Sequence, residues 1–540
     1  MKKYLPLISI VILGIFLRFW QLGVVPVGVT HDELGYIYNS YSIATTGKNV
    51  FGEFLPFLTW VNKGGWPFLP VPIYFSVPFF WLFGLSAMVG RLPSAFLGVV
   101  DILLLYLLVK QVFKNKELAL LSAFFLAISP WHLHFSRSAY DFNFAFFFYL
   151  LGTVTFIYEI KNKRLPLFSV LSFLIAIFSY RGMNIIFLPL TTMLIWYATA
   201  VLKITKKQLI VFLLGILILL SSLALTIAIN GKAYIAEAFS VSDTKMQEEI
   251  DTFIREAQGP LVIRRFFLNK PMYVVNKLRE NYVKAYSPEF LFLYTEPSGI
   301  YSIWSRGRIY FIDIVFIFLG VAYLYKIDKK GAFFMTSMIF IGGLPGMLGG
   351  MPYSARNFFL SAILPVFSSA GILFLIYNPL LRKLKIVVIA IVVLIYAYLL
   401  GSYLFDYYGR YALYGAESWA KSLKDVSFMI MEKKHKYDKV VVETASFGDL
   451  LQYAFYSKID PLEIQKAWLQ SEDAKDKFSI GNIDFVTGCI GEKEGKLPWV
   501  NNSYSSLYIA RGNCNKTATP SGFIKEYHGN IVWKIYENRY

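Results

Sequence analysis

Long apolar runs, separated by short polar or charged segments, dominate the chain up to residue 404. Runs of this length predict helices that cross a bilayer, because one span needs about 20 mainly apolar residues. We predict about eleven transmembrane helices on this basis. They lie at 4–22, 88–110, 117–135, 141–160, 166–181, 184–201, 207–229, 309–326, 332–349, 358–377 and 385–404.

One further apolar run, at 67–85, is predicted not to cross the membrane. It carries Pro67, Pro70, Pro72 and Pro78 among aromatic residues, a composition typical of a kinked helix lying at the interface. Counting it as a span would also reverse the orientation of every later loop. We therefore interpret 23–87 as one outer loop, and 230–308 as a second long outer loop with amphipathic character.

After residue 404 the pattern changes to that of a soluble domain. A helix is predicted at 415–435, and strands are predicted at KVVVETAS, FVTGC, SSLYIAR and IVWKIYEN. The predicted organisation is therefore an all-α polytopic membrane domain at 1–404 followed by an α/β domain at 405–540. Both cysteines of the chain, Cys489 and Cys514, lie in the second domain. An outer compartment permits a disulfide between them, although the sequence does not require one.

Composition supports the membrane class and adds an orientation. The chain of 540 residues is 56% hydrophobic and 16% charged, with a mean hydropathy of +0.51. Its net charge of +18 is not gathered in one basic domain. The lysines and arginines instead form short clusters between apolar runs, which is how cytoplasmic loops are marked. The sequence thus excludes a nucleic-acid-binding role. It predicts a multi-pass protein of the cytoplasmic membrane, with a cytoplasmic N-terminus and an extracytoplasmic C-terminal domain.

This topology places several charged residues on one side of the membrane. Adjacent carboxylates near a bilayer are costly to dehydrate, so they usually face water or a polar cavity. Together with nearby cations, they form a set suited to binding a lipid phosphate and performing acid–base chemistry beside it. The set consists of Asp32, Glu33, Lys63, Arg137, Asp141, Arg181 and Arg356. The simpler alternatives are that the carboxylates cap an interfacial helix and that each arginine extends to the membrane surface.

Several familiar chemistries have no motif in this chain. A phosphate-binding loop of the Gly-x-x-x-x-Gly-Lys-Ser/Thr type is absent, so the sequence shows no ATP-hydrolysis motif that could drive transport. It contains no Cys/His set with structural zinc spacing, and His31, His132 and His134 are too few to define a metal site. A Gly-x-Ser-x-Gly nucleophile elbow is also missing.

An ordered series of motifs carries a family resemblance. The chain reads HDELGYIYNSYSIATTGKNVFGEFLPF, then GRLPSAFLGVV, then LAISPWHLHFSRSAYDFN. This order resembles the glycosyltransferase family of protein O-mannosyltransferases and lipid A aminoarabinose transferases, which share the multi-span GT-C fold. It is most similar to bacterial members grouped as family 39 transferases. The resemblance is dense over roughly the first 200 residues.

The resemblance implies transfer of a monosaccharide from a polyprenyl-phosphate donor on the outer face. The family's essential carboxylate falls on Asp32 and a second acidic position on Asp141. The lysine that meets the lipid phosphate has its nearest match in Lys63, although the Pro-Pro that follows it in the family is absent here. Arg137 and Arg356 match positions that are basic in relatives.

The expected reaction is an inverting single displacement with Asp32 as general base. It requires no cofactor, and a divalent cation bound by Asp32 and Asp141 is an option that the sequence leaves open. The acceptor is a protein, lipid or glycan hydroxyl, and the sugar is unspecified. Two alternative classes are a polytopic secondary transporter and a lipid-binding or sensory membrane protein without catalysis. No internal repeat of the kind that transporters carry is visible, which favours the enzyme.

Overall fold

The computed structural model describes residues 4–60, 67–230, 243–293, 296, 298–304, 306–351, 353–471, 477–491 and 504–538. Within these residues the protein is mostly helical, with a single six-stranded sheet close to the C-terminal end. The predicted combination of a helical membrane protein with a C-terminal α/β region is confirmed at this level.

Helices form most of the described secondary structure. They are α1 (Leu5–Phe19), α2 (His31–Thr46), α3 (Pro70–Phe83), α4 (Ala87–Phe113), α5 (Lys116–Ile128), α6 (Pro130–Ser136), α7 (Asp141–Lys161), α8 (Leu167–Ile177), α9 (Phe187–Tyr197), α10 (Lys206–Asn230), α11 (Asp243–Glu256), α12 (Leu261–Phe267), α13 (Lys270–Lys284), α14 (Asp313–Ile327), α15 (Lys329–Gly342), α16 (Leu344–Gly349), α17 (Tyr353–Arg356), α18 (Leu360–Ile376), α19 (Lys385–Phe405), α20 (Ala412–Tyr414), α21 (Lys421–Lys433), α22 (Phe447–Ser457) and α23 (Pro461–Ser471).

Short 3-10 or π turns and six strands complete the described secondary structure. The turns are Arg181–Ile186, Ala198–Leu202, Glu289–Leu293, Pro379–Leu384, Asp406–Tyr411, Glu417–Trp419 and Lys434–Lys436. The strands are β1 (Lys439–Thr444), β2 (Lys477–Ile480), β3 (Ile483–Thr487), β4 (Ser506–Arg511), β5 (Gly522–Lys525) and β6 (Ile531–Asn538).

The helices identify a multi-pass membrane protein, but they do not confirm a count of eleven spans. Among the described residues, six helices are long and apolar enough to cross a membrane, and seven if α5 and α6 form one bent span. Other predicted spans are shorter apolar helices, such as α1, α8 and α18. The run at 67–85 forms α3, whose 14 residues extend only about 21 Å at 1.5 Å per residue. That length falls short of a hydrocarbon core of about 30 Å.

The predicted span at 117–135 is broken in the structure. Helix α5 ends at Ile128, and α6 starts at Pro130 with its axis turned by 57°. Proline lacks the backbone N–H that would continue the helix, and its ring clashes with the preceding turn. The last carbonyl groups of α5 therefore lack their usual α-helical partners, and of these Leu126 accepts from the Ser129 N–H at 3.3 Å.

Arg18 of α1 supplies hydrogen-bond donors at this break. Its guanidinium is fully buried and donates to the carbonyl oxygens of Ala127 at 3.2 Å and Leu126 at 3.3 Å. It also donates to Nδ1 of His132 at 2.8 Å, so a neutral His132 ring carries its proton on Nε2 and donates to Asp101 at 3.2 Å. A chain of polar groups thus stabilises the break.

The chain forms two compact units. Unit 1 consists of Met1–Arg18, Phe96–Ser136 and Asp141–Tyr403, and contains most of the apolar helices. Its helices α14 and α18 pack closely because glycines face each other. A Cβ atom on Gly320 would meet the Phe367 carbonyl oxygen at 2.0 Å, and one on Gly371 would meet the Phe316 carbonyl oxygen at 2.0 Å. Small residues at such positions allow close backbone approach in membrane helix pairs.

Unit 2 consists of Phe19–Ala95, Arg137–Tyr140 and Leu404–Tyr540. Its sheet has the strand order β2-β3-β1-β4-β6-β5, in which β1 runs parallel to both β3 and β4 and the outer pairs are antiparallel. The four strands predicted from the sequence are present. The sequence prediction did not include β2 and β5, which have only four residues each.

Helix α2 shares one hydrophobic core with this sheet and its helices. Leu34, Ile37 and Tyr38 of α2 belong to the same buried cluster as Val440 of β1 and Leu450 of α22. Polar contacts tie the two parts together as well, since the Tyr38 hydroxyl donates to the carbonyl oxygen of Ile459 at 2.9 Å. The C-terminal region therefore helps to hold α2 in position.

A disulfide joins Cys489 and Cys514 in unit 2, with their Cα atoms 5.5 Å apart. It connects the segment after β3 with the segment after β4, two neighbours of the central strand β1. The pairing that the sequence left open is therefore present in the structure.

Replacing Arg18 by methionine is expected to lower the free energy of unfolding by about 3 kcal/mol, because buried carbonyl oxygens lose charge-assisted hydrogen bonds. Thermal unfolding of the detergent-solubilised protein measures this loss. The matched control is Arg382→Met, which removes the same charge from an exposed position of unit 1. Equal melting temperatures for the two variants would contradict the capping role of Arg18.

Candidate functional site

The start of α2 carries the two adjacent carboxylates that the sequence singled out. Thr30 is the N-cap, and its hydroxyl oxygen accepts a hydrogen bond from the backbone N–H of Glu33 at 3.1 Å. Asp32 and Glu33 lie in the first turn, where the helix dipole favours negative charge. The simpler interpretation of these carboxylates, that they occupy a helix N-terminus, thus describes their location correctly.

The two carboxylates nevertheless have different environments. Glu33 is completely buried and forms a bidentate ion pair with Arg91. Arg91 Nε donates to Oε1 at 3.0 Å, and Nη2 donates to Oε2 at 2.9 Å. The backbone N–H of Ala139 also donates to Oε1, at 2.8 Å. Three hydrogen bonds therefore fix the direction of the Glu33 side chain.

Arg91 is held equally firmly on its other side. Its guanidinium donates to three carbonyl oxygens of the segment before α2: Leu22 at 3.3 Å, Pro26 at 2.9 Å and Gly28 at 2.6 Å. The guanidinium carbon also lies 5.4 Å from the centre of the Trp419 ring. All donor groups of the guanidinium are in use, so Arg91 organises the approach to α2 and is not available to a ligand.

Asp32 points elsewhere because neighbouring residues of a helix project about 100° apart. With Glu33 fixed toward Arg91, Asp32 remains exposed. Desolvation by the surrounding protein raises the pKa of the Asp32 carboxyl above its usual range, and the charge of His31 partly opposes this shift. A carboxylate that is accessible and unusually basic is suited to accept a proton.

The turn that carries Arg137 closes over the start of α2. The Tyr140 hydroxyl lies 2.7 Å from the hydroxyl oxygen of Thr30. Arg137 is buried, donates to the carbonyl oxygen of Val25 at 3.1 Å, and packs against the rings of Tyr407 and Tyr408. Arg137, which the sequence predicts to bind phosphate, therefore already uses part of its guanidinium in contacts within the protein.

Three other predicted site residues belong to unit 1. Asp141 is the first residue of α7, and Arg181 starts the 3-10 turn Arg181–Ile186. That turn packs against α16, the helix that ends at Gly349. Arg356 lies against the same end of α16, because a Cβ atom on Gly349 would overlap its guanidinium. Arg181 thus begins a turn that packs against α16, and Arg356 lies at the Gly349 end of that helix.

Two expectations stay predictions. Lys63 lies outside the described residues, and a divalent cation shared by Asp32 and Asp141 is not tested. Among the described residues, one group of metal-ligand side chains lies close enough to hold an ion, namely Glu443, Cys489 and Cys514. The two sulfur atoms are bonded to each other and Lys516 pairs with Glu443, so this group does not form a thiolate metal site.

Sequence reasoning assigned no role to Arg91, the partner of Glu33, or to His31. Both had a visible signal. Arg91 is a charged residue at the start of a long apolar run, in the motif GRLPS, and such residues are rarely tolerated without a partner. His31 directly precedes the carboxylate pair. Neither signal identifies the partner, because the pairing of Glu33 and Arg91 joins positions 58 residues apart.

Comparison with known families supports the resemblance found in the motifs. Residues 67–225 match the family described as Dolichyl-phosphate-mannose-protein mannosyltransferase. The match includes the GRLPS and SPWHLHFSR motifs with Arg91, Arg137 and Asp141, and it excludes Asp32 and Glu33. No curated protein matches the chain.

Solved structures show weaker similarity. The oligosaccharyltransferase AglB from Archaeoglobus fulgidus, in complex with an inhibitory peptide and a dolichol-phosphate, is 15% identical with a TM-score of 0.47. The alignment covers 84% of this chain and 64% of that protein. ArnT from Cupriavidus metallidurans, bound to undecaprenyl phosphate, is 12% identical with a TM-score of 0.47, covering 98% of this chain and 97% of ArnT. These similarities are too low to carry an argument about function.

The geometry predicts that Glu33 and Arg91 act as one unit. Glu33→Gln and Arg91→Gln should each cost about 3–5 kcal/mol of stability, because each leaves an uncompensated buried charge. The double variant should cost clearly less than the sum, since it removes both charges together. Thermal unfolding of the three variants gives the coupling energy. Additive losses would contradict a direct pair.

Proposed function

We propose that the protein is an integral-membrane glycosyltransferase. It transfers a monosaccharide from a polyprenyl-phosphate donor to an acceptor hydroxyl, by inverting single displacement with Asp32 as general base. The observation that carries the proposal is that the two adjacent carboxylates at the start of α2 have different environments. Glu33 is locked to Arg91, while its neighbour Asp32 is left exposed with a raised pKa.

The family match supports this class of reaction. The match covers residues 67–225. The HDEL segment that carries Asp32 lies before this range and is the first motif of the ordered series. The match includes Arg91, whose side chain orients that segment. The part of the chain that resembles mannosyltransferases therefore holds the proposed base in position.

The chemistry follows from the donor class. A sugar phosphate ester has a good leaving group, so its departing oxygen needs no protonation, in contrast to ordinary glycoside hydrolysis. Asp32 takes the proton of the acceptor hydroxyl as that oxygen forms a bond to the anomeric carbon. The bond from the anomeric carbon to the phosphate oxygen breaks, and its electron pair leaves with the lipid phosphate. One displacement inverts the configuration at the anomeric carbon.

The remaining site residues receive supporting roles in this proposal. Cations stabilise the negative charge that grows on the leaving phosphate, most strongly where water is excluded. Arg181, Arg356 and Lys63 are assigned to that charge, as the sequence predicts. Arg137 and Glu33 are positioning residues, because both are buried within the protein. Asp141 is assigned to the acceptor or to a divalent cation.

We place the reaction on the outer face of the membrane. The basic clusters between the apolar runs support a cytoplasmic location for the opposite loops. The disulfide between Cys489 and Cys514 supports an oxidising compartment for the C-terminal region. Unit 2 joins that region to the segment that carries Asp32, so both belong to the same side.

Asp32→Asn is expected to reduce transfer by roughly 10²–10⁴-fold, the usual contribution of a general base. The assay incubates the detergent-solubilised protein with radiolabelled polyprenyl-phosphate sugars and membrane extracts, and follows loss of sugar from the lipid. Asp425→Asn is the control, because that carboxylate forms only an exposed pair with Lys421. Full activity of the Asp32 variant would remove it from the mechanism.

The rate should also depend on pH through Asp32. The base works when deprotonated, so kcat/KM falls as the pH drops through its pKa, which lies above the ordinary aspartate range. His31→Gln removes a positive charge that stabilises the carboxylate, so the acid limb should move to higher pH. His435→Gln, at an exposed site, should leave the profile unchanged. A shift to lower pH for His31→Gln would contradict the assignment.

A further inference from the structure

The sheet of unit 2 contains a topological switch point. From β1 the chain proceeds through α22 and α23 to β2 and β3, on one side of β1. From β4, the other parallel neighbour of β1, it proceeds to β5 and β6 on the opposite side. The connections thus diverge at the carboxyl ends of β1 and β4, and ligands of open α/β sheets bind in the crevice that such divergence creates.

A cavity of about 370 Å³ lies at this position. Its size falls within the range of about 300–1,000 Å³ that is usual for small-molecule sites. Ala445 and Asp449 line it from the segment after β1, and Arg511 and Asn513 line it from the end of β4. We call this cavity the β1/β4 crevice. Sequence order and sheet topology therefore place the cavity where a ligand is expected.

Apolar and polar side chains together line the β1/β4 crevice, and its charged residues carry an excess of negative charge. Asp449, Glu417 and Glu526 contribute carboxylates, whereas Arg511 contributes the guanidinium. Asp449 uses Oδ2 to accept a hydrogen bond from the Ala445 N–H at 2.6 Å. Burial raises the pKa of its carboxyl. Hydrogen-bond donors and acceptors thus face a common space, which suits a ligand with several hydroxyl groups and disfavours an anionic one.

His31 lies next to the segment that follows β1 and that contributes Ala445 and Asp449 to the β1/β4 crevice. The Nε2 atom of His31 lies 3.5 Å from the hydroxyl oxygen of Ser446, the N-cap of α22. The charge of His31 acts on the carboxylates of both Asp32 and Asp449. One imidazole therefore lies between the start of α2 and the helix that carries Asp449.

We propose that the β1/β4 crevice binds a saccharide without phosphate or carboxylate groups, and that this saccharide belongs to the acceptor. Asp449 and Arg511 bind its hydroxyl groups, and α2 presents Asp32 beside the bound molecule. The assignment as acceptor rests on the proposed glycosyl transfer, whereas saccharide binding itself does not.

The binding test uses the full-length protein in detergent and saturation-transfer NMR. The probes are methyl α-mannoside, glucosamine and mannose 6-phosphate, which are neutral, cationic and anionic. The first two should bind and the third should not. Asp449→Asn should weaken binding of glucosamine about tenfold, the loss expected for one charge-assisted hydrogen bond. Arg511→Gln should weaken methyl α-mannoside binding and affect glucosamine less.

Glu463→Gln is the matched control, because it removes a carboxylate from an exposed position of α23 in the same unit. It should bind all probes as the unaltered protein does. Binding of none of the sugars, preferential binding of mannose 6-phosphate, or unchanged affinities in both crevice variants would overturn the proposal. The two crevice variants provide independent tests if one of them fails to fold.

Kinetics distinguish this inference from the proposed function. Asp449→Asn should raise the acceptor KM and leave the donor KM unchanged, whereas Asp32→Asn should lower kcat and retain sugar binding. Sugar binding in a protein without transferase activity would refute the proposed function and support the site. Transfer with an unchanged acceptor KM in Asp449→Asn would refute the site and leave the function standing.

Discussion

The buried ion pair between Glu33 and Arg91 is the interaction on which the candidate site depends. Two charges in the protein interior are costly unless each is fully hydrogen-bonded, and here the guanidinium satisfies both the carboxylate and three backbone carbonyl groups. The pair therefore joins the start of α4 to α2 and to the segment that leads into α2. Glu33 faces inward, and its neighbour Asp32 is exposed. Loss of the pair would remove the hydrogen bonds that orient the segment carrying Asp32, the proposed base.

The C-terminal region contributes to the same constraint. Helix α2 shares its hydrophobic core with β1 and α22, and Gln452 of α22 donates to the carbonyl oxygen of Val29 at 2.6 Å, just before the helix. The Trp419 ring packs on the Arg91 guanidinium. A region that the sequence predicts to be a separate soluble domain therefore belongs to one compact unit with the segment that carries Asp32. This arrangement gives the region two functions in our account, which are to support Asp32 and to bind the acceptor.

The sequence predicted features that depend on local pattern. Apolar runs predicted the membrane class, alternation predicted four strands, and the motif order predicted the family resemblance. Features that depend on distant partners were not predictable. One example is the packing of Arg137 on Tyr407, a residue 270 positions away. The break between α5 and α6 had a local signal in Pro130, yet the capping of its carbonyl groups by Arg18 requires tertiary structure. Short strands such as β2 carry too few residues to show a period.

The central claim is a single displacement assisted by Asp32, and the anomeric configuration of the product tests it most directly. A polyprenyl-phosphate sugar of defined anomer is converted by the solubilised protein, and proton NMR of the isolated product gives the configuration of the new bond. Our account predicts inversion, because one attack from the face opposite the phosphate forms the product. Retention would exclude a single attack from the face opposite the phosphate and would contradict the proposed role of Asp32 as the base in that displacement.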